Sequence, residues 1–169
     1  MRRHSTLLLI ALIALLLPSF ASAQTSAPAA PTLRVSGPAG QSMVLSEQDL
    51  DAMPRETANI IDEKGNHVAF EGVPIIEILR RAGAPTGKDL RGKQLTLYVL
   101  VSASDGYHAV FALAELDPVF ADRHILLVDR RDGKALSSAE GPFRIVAPDE
   151  KRHARWVHNV TSLAVKSAE

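Results

Sequence analysis

The sequence predicts an α+β domain with a β-rich core, in which a mixed, barrel-like sheet carries a few short helices. Three observations lead to this class. Short segments rich in Val, Ile and Leu are separated by turns that contain Gly, Pro or Asp. Only one segment has a sustained helical spacing of apolar residues. The 169 residues, 46% hydrophobic and 22% charged, have the proportions of one ordinary globular domain.

Charge and cysteine content exclude several classes of protein. The 19 Lys and Arg residues balance 19 Asp and Glu residues. A strongly basic nucleic-acid binder is therefore excluded, because neutralising phosphates needs an excess of cations. The chain has no cysteine, which excludes disulfides, Cys-ligated zinc, iron–sulfur clusters and thiolate nucleophiles.

The first segment has the features of a secretory signal. Arg2 and Arg3 precede an apolar run at residues 7–17, and a small-residue cleavage site ends at Ala23. The run has 11 residues, whereas a bilayer span needs about 20. We therefore predict a signal peptide at residues 1–23 and a periplasmic or secreted protein that has no membrane contact after cleavage.

The rest of the chain divides into a linker and one domain. Residues 24–31 are small and Pro-rich, which is typical of a flexible linker. Residues 32–169 are predicted to form the domain. The Arg2-Arg3 pair leaves the twin-arginine export route open, and we favour general secretion.

The first half of the domain alternates strands and helices. Residues 33–35 and 43–45 are predicted to form paired strands. Ser46 and Asp49 predict a capped helix that continues to Met53, where Pro54 bounds it. Two further strands, at 55–62 and 66–70, flank a turn at 63–65.

The clearest helix is predicted to begin at Pro74 and stop at Gly83. Its apolar residues have helical spacing on one face, and Glu77 and Arg81 are predicted to pair on the other. The later elements are a strand at 94–101, a turn at 105–106, a strand at 107–111, a helical turn at 113–116, and strands at 125–128, 143–147 and 155–165.

Five strings in the domain carry a family resemblance. They are FEGVP at 70–74 before the helix, ASDGY at 103–107 followed by FALAEL at 111–116, DGKAL at 132–136, GPFRIVAP at 141–148 and RWV at 155–157. In this order and at this spacing, they resemble the oxidoreductase molybdopterin-binding domain of the sulfite oxidase family. The resemblance covers residues 33–166.

The resemblance implies a β-rich fold of the sulfite oxidase type. Complete enzymes of this family hold a molybdenum–pterin cofactor in a basic cleft and carry out two-electron oxygen-atom chemistry. Residue-by-residue matching implies that Arg152 and Arg155, with Lys151 nearby, bind the cofactor phosphate, and that Arg144 helps to frame the cleft. The alternative is a solvated basic loop before the last strand.

A second part of the implied cleft is the hairpin tip. Ser104, Asp105 and Tyr107 match a family string near the cleft mouth, and we predict a ligand role for them. The alternative is a plain turn, in which Asp105 and Gly106 set the backbone. No Ser-His-Asp relay is predicted, because residues so close on one hairpin do not form one readily.

The molybdenum ligand of the family is missing. The matching position lies within residues 58–64, and no cysteine occurs there or elsewhere. Asp62 or Glu63 lies at about the right place, but replacing a soft thiolate with hard oxygen would change the chemistry. We therefore predict no metal ligand and assign no catalytic residue.

Histidines do not predict a metal site either. His153 and His158 are five residues apart, so on the predicted extended strand they would point to opposite faces. Zinc sites need three or four convergent ligands. The sequence therefore predicts no metal bound by histidine.

These patterns favour a non-catalytic module that holds a small anion, a pterin-like ligand or a partner protein in the former cofactor cleft. The alternative is a molybdenum–pterin oxidoreductase that holds its cofactor without a protein thiolate. A third interpretation is a scaffold that packs against a periplasmic redox partner.

Overall fold

A computed structural model describes residues 30–62 and 64–168. Within them, the strands are β1 (Thr32–Ser36), β2 (Ser42–Ser46), β3 (Glu56–Ile61), β4 (His67–Pro74), β5 (Leu97–Ala103), β6 (His108–Ala112), β7 (Leu126–Arg131), β8 (Lys134–Ala135), β9 (Arg144–Val146) and β10 (Val160–Ser167). The helices are α1 (Glu47–Asp51), α2 (Ile75–Arg81) and α3 (Leu113–Leu116). Short 3₁₀ turns lie at Gly87–Asp89, Gly92–Thr96 and His153–Arg155.

The strands form two open sheets. The first has the order β2-β1-β10-β5-β6, and the second has the order β3-β4-β7-β8 with β9 also paired to β7. Every pair is antiparallel except β1 with β10. The predicted α+β, β-rich class is confirmed, and the described residues form no closed barrel.

One hydrophobic core joins both sheets and all three helices. In β5 the side chains alternate between buried and half-buried, as expected for a strand whose one face lies on the core. Val35, Phe70 and Ile78 are examples of core residues from the first sheet, the second sheet and α2. This core provides the rigid base on which the loops of the domain are held.

The cap of α1 agrees with its sequence signature. The Asp49 N–H donates to Ser46 Oγ at 3.2 Å, and the Ser46 N–H donates to Asp49 Oδ2 at 2.8 Å. These two bonds form a capping box. The helix ends at Asp51, before the predicted Met53.

Helix α2 differs in detail from the prediction. Pro74 is the last residue of β4 and caps the helix rather than forming its first turn. Glu77 pairs with Arg80 at 2.8 Å, so the predicted pairing with Arg81 is wrong. The predicted stop is confirmed, because Gly83 adopts a φ of 82° in the left-handed region.

Several strand boundaries also differ, including that of β4, which was predicted to end at 70 and ends at Pro74. The change before β10 shapes the candidate site. The strand predicted at 94–101 begins only at Leu97, after a 3₁₀ turn. Strand β7 continues to Arg131 and turns through Asp132 and Gly133 into β8. The strand predicted at 155–165 begins at Val160, because residues 153–155 form a 3₁₀ turn and Asn159 has a φ of 49°.

The predicted signal peptide at residues 1–23 and linker residues 24–29 lie outside the described residues. In the described part of the chain, no helix is both long and apolar enough to cross a membrane.

A candidate anion-binding pocket

A cavity of about 370 Å³ lies on the second sheet. Its floor is formed by β3, β4 and β7, and its wall by segment 140–158. The lining residues are Ile60, Asp62, Lys64, Val68, Phe70, Arg131, Glu140, Arg144, His153, Trp156 and His158. The cavity therefore combines apolar, aromatic and charged groups.

Strand register places charged and apolar side chains next to one another on the floor. Phe70 on β4 lies opposite Arg131 on β7. Val68, two residues earlier on β4, lies opposite Ile60 on β3. Side chains two residues apart share one face of a strand, so these four side chains lie together on the floor. The Arg131 guanidinium lies 5.6 Å from the centre of the Phe70 ring and 3.8 Å from the Asp62 carboxylate.

Two guanidinium groups line the cavity. Arg144 is only 9% exposed, and its Nη1 donates to the Glu140 carboxylate. Arg131 Nη1 lies 3.3 Å from the same Glu140 oxygen. The Arg144 guanidinium also lies 5.1 Å from the centre of the Phe70 ring and 5.6 Å from that of Trp156. Burial lowers the pKa of Arg144.

Arg144 keeps one donor without a partner. Its Nε is buried and makes no hydrogen bond within the described part of the chain. A buried donor that is left unpaired costs about 1–3 kcal/mol. Arg144 lines the cavity together with Arg131.

Trp156 forms the aromatic wall. Its indole N–H donates to the Ala147 carbonyl at 2.9 Å, which fixes the ring. His153 stacks on this ring with centroids 3.9 Å apart, and Phe70 meets it edge-on at 6.3 Å. Trp156 is 4% exposed and Phe70 2%, and the Arg144 guanidinium lies over both rings, so neighbouring side chains cover most of this wall.

His153 and His158 line the same cavity, so the prediction that their side chains point to opposite faces is wrong. His153 belongs to the 3₁₀ turn and His158 precedes β10, so the extended backbone on which the prediction rested is absent. Desolvation, followed by the charge of Arg144, lowers the pKa of His158. His158 therefore tends to be neutral beside the guanidinium.

Asp62 also lines the cavity, but its carboxylate already accepts hydrogen bonds from the turn at 64–66. It accepts hydrogen bonds from the backbone N–H groups of Lys64 and Asn66, at 2.9 and 2.8 Å, and from Asn66 Nδ2 at 3.1 Å. These bonds, those from Asn66 first, lower the pKa of Asp62. Glu63, the other oxygen donor considered, lies outside the described residues.

Arg144, which was predicted to frame the cleft, lines this pocket, whereas none of the three residues predicted to bind the cofactor phosphate does. Lys151, Arg152 and Arg155 line a neighbouring, more open depression. Arg155 is held by acidic partners: its Nη1 lies 2.9 Å from Glu115, and its Nη2 donates to Glu150. Its guanidinium also covers Phe111, 4.2 Å from the ring centre.

The predicted hairpin-tip residues lie beside the pocket. Asp105 and Tyr107 line a third depression that shares His153, Trp156 and His158 with the main pocket. The Tyr107 hydroxyl donates to the Ala154 carbonyl at 2.7 Å and so ties the hairpin to the 3₁₀ turn. Ser104 contributes its backbone N–H to the Asn159 carbonyl at 3.0 Å.

Sequence reasoning missed Arg131, Glu140 and the pocket role of Trp156. A signal for Arg131 was present, because the apolar strand 125–128 continues directly into Asp129, Arg130 and Arg131. Glu140 has no comparable local pattern.

The comparisons with known proteins support the fold. No model of a protein family and no curated protein matches the chain. The crystal structure of the sulfane dehydrogenase SoxCD from Paracoccus pantotrophus is similar, with a TM-score of 0.61 and 18% identity over 80% of this chain. The match spans only 38% of that structure's chain. At this identity, the likeness shows the fold alone and is consistent with the fold that the sequence resemblance implies.

The residues present do not fit a molybdenum centre held by a protein thiolate. The sequence contains no cysteine, and Asp62, the described oxygen donor nearest the expected position, already accepts three hydrogen bonds. In the described residues, no cluster of His, Asp or Glu is arranged to hold a metal ion. A soft metal with a thiolate preference has no matching donor here.

Proposed function

We propose that the protein is a periplasmic or secreted binding module without catalytic activity, and that it holds a small anion in the pocket lined by Arg131 and Arg144. The observation that supports this most directly is the Arg144 side chain, which lines the cavity, is 9% exposed and has a buried Nε that makes no hydrogen bond to the described residues. A buried cation gains most from an anionic partner, because water screens it least.

The charges of the described lining residues support the same proposal. The positive side chains are Arg131, Arg144 and Lys64, and the negative ones are Asp62 and Glu140. The Lys, Arg, Asp and Glu side chains of the lining therefore carry an excess of one positive charge. A bound monoanion would balance this excess.

Thermal unfolding of the purified protein tests the proposal. Benzoate, acetate, sulfate and phosphate, each compared with chloride at equal ionic strength, are the probes. A ligand at one hundred times its Kd stabilises the folded state by about 2.7 kcal/mol. We expect at least one probe to raise the melting temperature.

Neighbouring arginines on β7 provide a matched pair of variants. Arg131→Gln removes a pocket cation, whereas Arg130→Gln removes a cation that pairs with Asp51, 3.0 Å away, outside the pocket. We expect Arg131→Gln to abolish the shift and Arg130→Gln to retain it. No shift with any probe, or a shift that survives Arg131→Gln, would refute the anion site.

The export part of the proposal rests on the sequence of residues 1–23. N-terminal sequencing of protein expressed in a bacterial host should find Gln24 as the first residue, in the periplasmic or extracellular fraction. A retained Met1 in the cytoplasmic fraction would contradict it.

The likeness to SoxCD favours a second candidate, a molybdenum–pterin oxidoreductase whose cofactor is held without a protein thiolate. Elemental analysis and pterin fluorescence of protein from a molybdenum-proficient host separate the two candidates. The binding-module proposal predicts neither molybdenum nor pterin. Near-stoichiometric molybdenum would overturn it.

A further inference from the structure

We propose that strand β3 is a docking edge, to which an extended, basic segment of a partner protein adds as a further strand of the second sheet. This inference does not depend on the anion pocket. It rests on the unpaired backbone groups along the free side of β3 and on an acidic depression at the start of the same strand.

The hydrogen-bond pattern fixes which backbone groups of β3 are free. β3 is an outer strand of the second sheet and pairs with β4. The Asp62 N–H donates to the Asn66 carbonyl at 2.9 Å, so these two residues form a bonded pair just beyond the strands. Bonded and non-bonded pairs alternate in an antiparallel ladder. The backbone groups of Thr57, Asn59 and Ile61 therefore point away from β4.

Among the described residues, these free groups have no hydrogen-bond partner. The other outer strands are partly capped or very short. On β6 the Val110 carbonyl accepts from Arg155, and the Ala112 N–H donates to Glu115, both at 2.9 Å. On β2 the last N–H is used by the cap of α1, and β8 has two residues. Proteins generally protect such edges, so the uncapped edge of β3 is a candidate for pairing with another chain.

The side chains of β3 are suited to this pairing. Thr57, Asn59 and Ile61 carry no charge, and Ile61 is 63% exposed. Lys and Pro, which hinder the addition of a strand at a sheet edge, do not occur in β3. An extended segment would bond to the free N–H and C=O groups and cover the exposed Ile61 side chain.

A depression of about 390 Å³ at the start of β3 indicates that the segment is basic. Its described lining includes the carboxylates of Glu56 and Asp149 and no Lys or Arg. Its basic group is His124, whose Nδ1 lies 2.9 Å from Glu56. Because two carboxylates face one histidine, a Lys or Arg side chain of the added strand would complement the charge of the depression.

A second copy of the chain fits this edge less well. If two β3 strands paired antiparallel through all their free groups, Asn59 would lie opposite Asn59 of the other copy. Glu56 would then lie opposite Asp62. Like charges directly opposite each other destabilise a strand pair. A partner segment with a basic side chain avoids this repulsion.

Hydrogen exchange measured by NMR tests strand addition at the residues concerned. The probe is a short, capped peptide of alternating Val and Thr with a central Lys. One counterpart has Glu in place of Lys, and another has N-methylated backbone amides. We expect the Lys peptide to bind saturably, to slow exchange of the Thr57, Asn59 and Ile61 amides, and to bind several-fold more tightly than the Glu peptide. The N-methylated peptide, which lacks backbone donors, should not bind.

Proline substitutions at two free edge positions provide a matched pair of variants. Asn59→Pro removes an outward N–H of β3 and no bond to β4, a position that tolerates proline. The Gly37 N–H donates to the Gln41 carbonyl at 2.8 Å, so by the same alternation the Val44 N–H of β2 also points outward. We expect Asn59→Pro to abolish peptide binding and Val44→Pro to retain it.

Glu56→Gln tests the charge without changing the backbone, and it decides the question even if Asn59→Pro does not fold. It should reduce the preference for the Lys peptide over the Glu peptide. Glu77→Gln should retain this preference, because Glu77 pairs with Arg80 and lies outside the depression.

Each contrary outcome removes a defined part of the proposal. Equal binding of the N-methylated peptide would overturn strand addition, and equal binding of the Lys and Glu peptides would overturn the basic character of the partner. No binding of either peptide would overturn the docking edge. Dimerisation of the protein in sedimentation, abolished by Asn59→Pro, would show that a second copy occupies the edge instead. None of these results bears on the anion site.

Discussion

Glu140 accepts a hydrogen bond from Arg144 inside the pocket, and both side chains are largely buried. This carboxylate occupies the position that an external anion needs, so it acts as an internal competitor. Glu140→Gln removes its negative charge and keeps its size. We expect the variant to bind benzoate several-fold more tightly, as measured by Trp156 fluorescence.

Glu140→Gln should also lower the free energy of unfolding of the protein when no ligand is bound. Removing one partner of a buried ion pair leaves the other charge uncompensated, at a cost of about 3–5 kcal/mol when burial is complete. Arg131 also contacts Glu140 and remains partly exposed, so we expect a smaller loss. Glu150→Gln, which removes a partner of Arg155 instead, should not tighten benzoate binding. Unchanged affinity in Glu140→Gln would show that Glu140 does not compete.

Tyr107 is expected to hold the pocket wall in place. Tyr107→Phe removes the hydrogen bond from its hydroxyl to the Ala154 carbonyl. A typical hydrogen bond contributes about 0.5–1.5 kcal/mol, and this exposed one should lie at the low end. We expect a small fall in melting temperature and faster hydrogen exchange of the amides in the 3₁₀ turn at 153–155.

Tyr98→Phe, on β5, is the control, because Tyr98 lines neither the pocket nor its neighbouring depressions. It should leave exchange at 153–155 unchanged. Equal exchange rates in both variants and the unmodified protein would contradict the role of Tyr107.

His158 and His124 should give opposite pH dependences of stability. Desolvation and Arg144 lower the pKa of His158 below its ordinary 6.5, so the unfolded chain binds a proton more readily. Its contribution to stability is therefore lost as pH falls below about 6.5. In His158→Gln, the loss of melting temperature between about pH 7 and about pH 5 should be smaller.

His124 has the reverse sign. A hydrogen bond from its Nδ1 to the Glu56 carboxylate, 2.9 Å away, raises the pKa of His124. Its contribution is present below about pH 6.5 and is lost as pH rises through the higher folded-state value. His124→Gln should therefore lower stability at acid pH only. The same pH profile in both variants would contradict the assignments.

Gly72 is expected to be intolerant of any side chain. A Cβ there would lie 2.1 Å from the Leu127 carbonyl oxygen, where β4 and β7 shift register. Gly72→Ala must push two hydrogen-bonded strands apart, and overpacking of this kind costs about 1–3 kcal/mol or more. Chemical denaturation should detect the loss. Unchanged stability would mean that β4 can move away from β7 at this position.

Local patterns predicted the elements and only part of the site. Ser46 and Asp49 predicted the cap of α1, and Gly83 predicted the end of α2, because caps depend on neighbouring residues. The Glu77 pairing was wrong because two arginines lie within reach of one carboxylate, and the helical spacing does not choose between them.

The pocket was harder to predict because its parts come from distant segments. Arg144 was expected from the resemblance, and it does line the cavity. Arg155 carries the same charge in a matching string, but Glu115, forty residues away in sequence, holds it elsewhere. Partners so far apart along the chain leave no periodic signal in the sequence. Glu140 was missed because its local sequence likewise carries no pattern that indicates its role.

The pairing of β1 with β10 has a consequence for how the domain forms. These strands are parallel neighbours in the interior of the first sheet, with Val35 opposite Leu163. Their contact spans nearly the whole described chain, which is the kind of long-range pairing that slows folding. Until β10 is in place, β1 and β5 each present an unpaired edge in the partly folded chain. A chain cleaved before Val160 would keep these edges exposed and be prone to edge-to-edge aggregation.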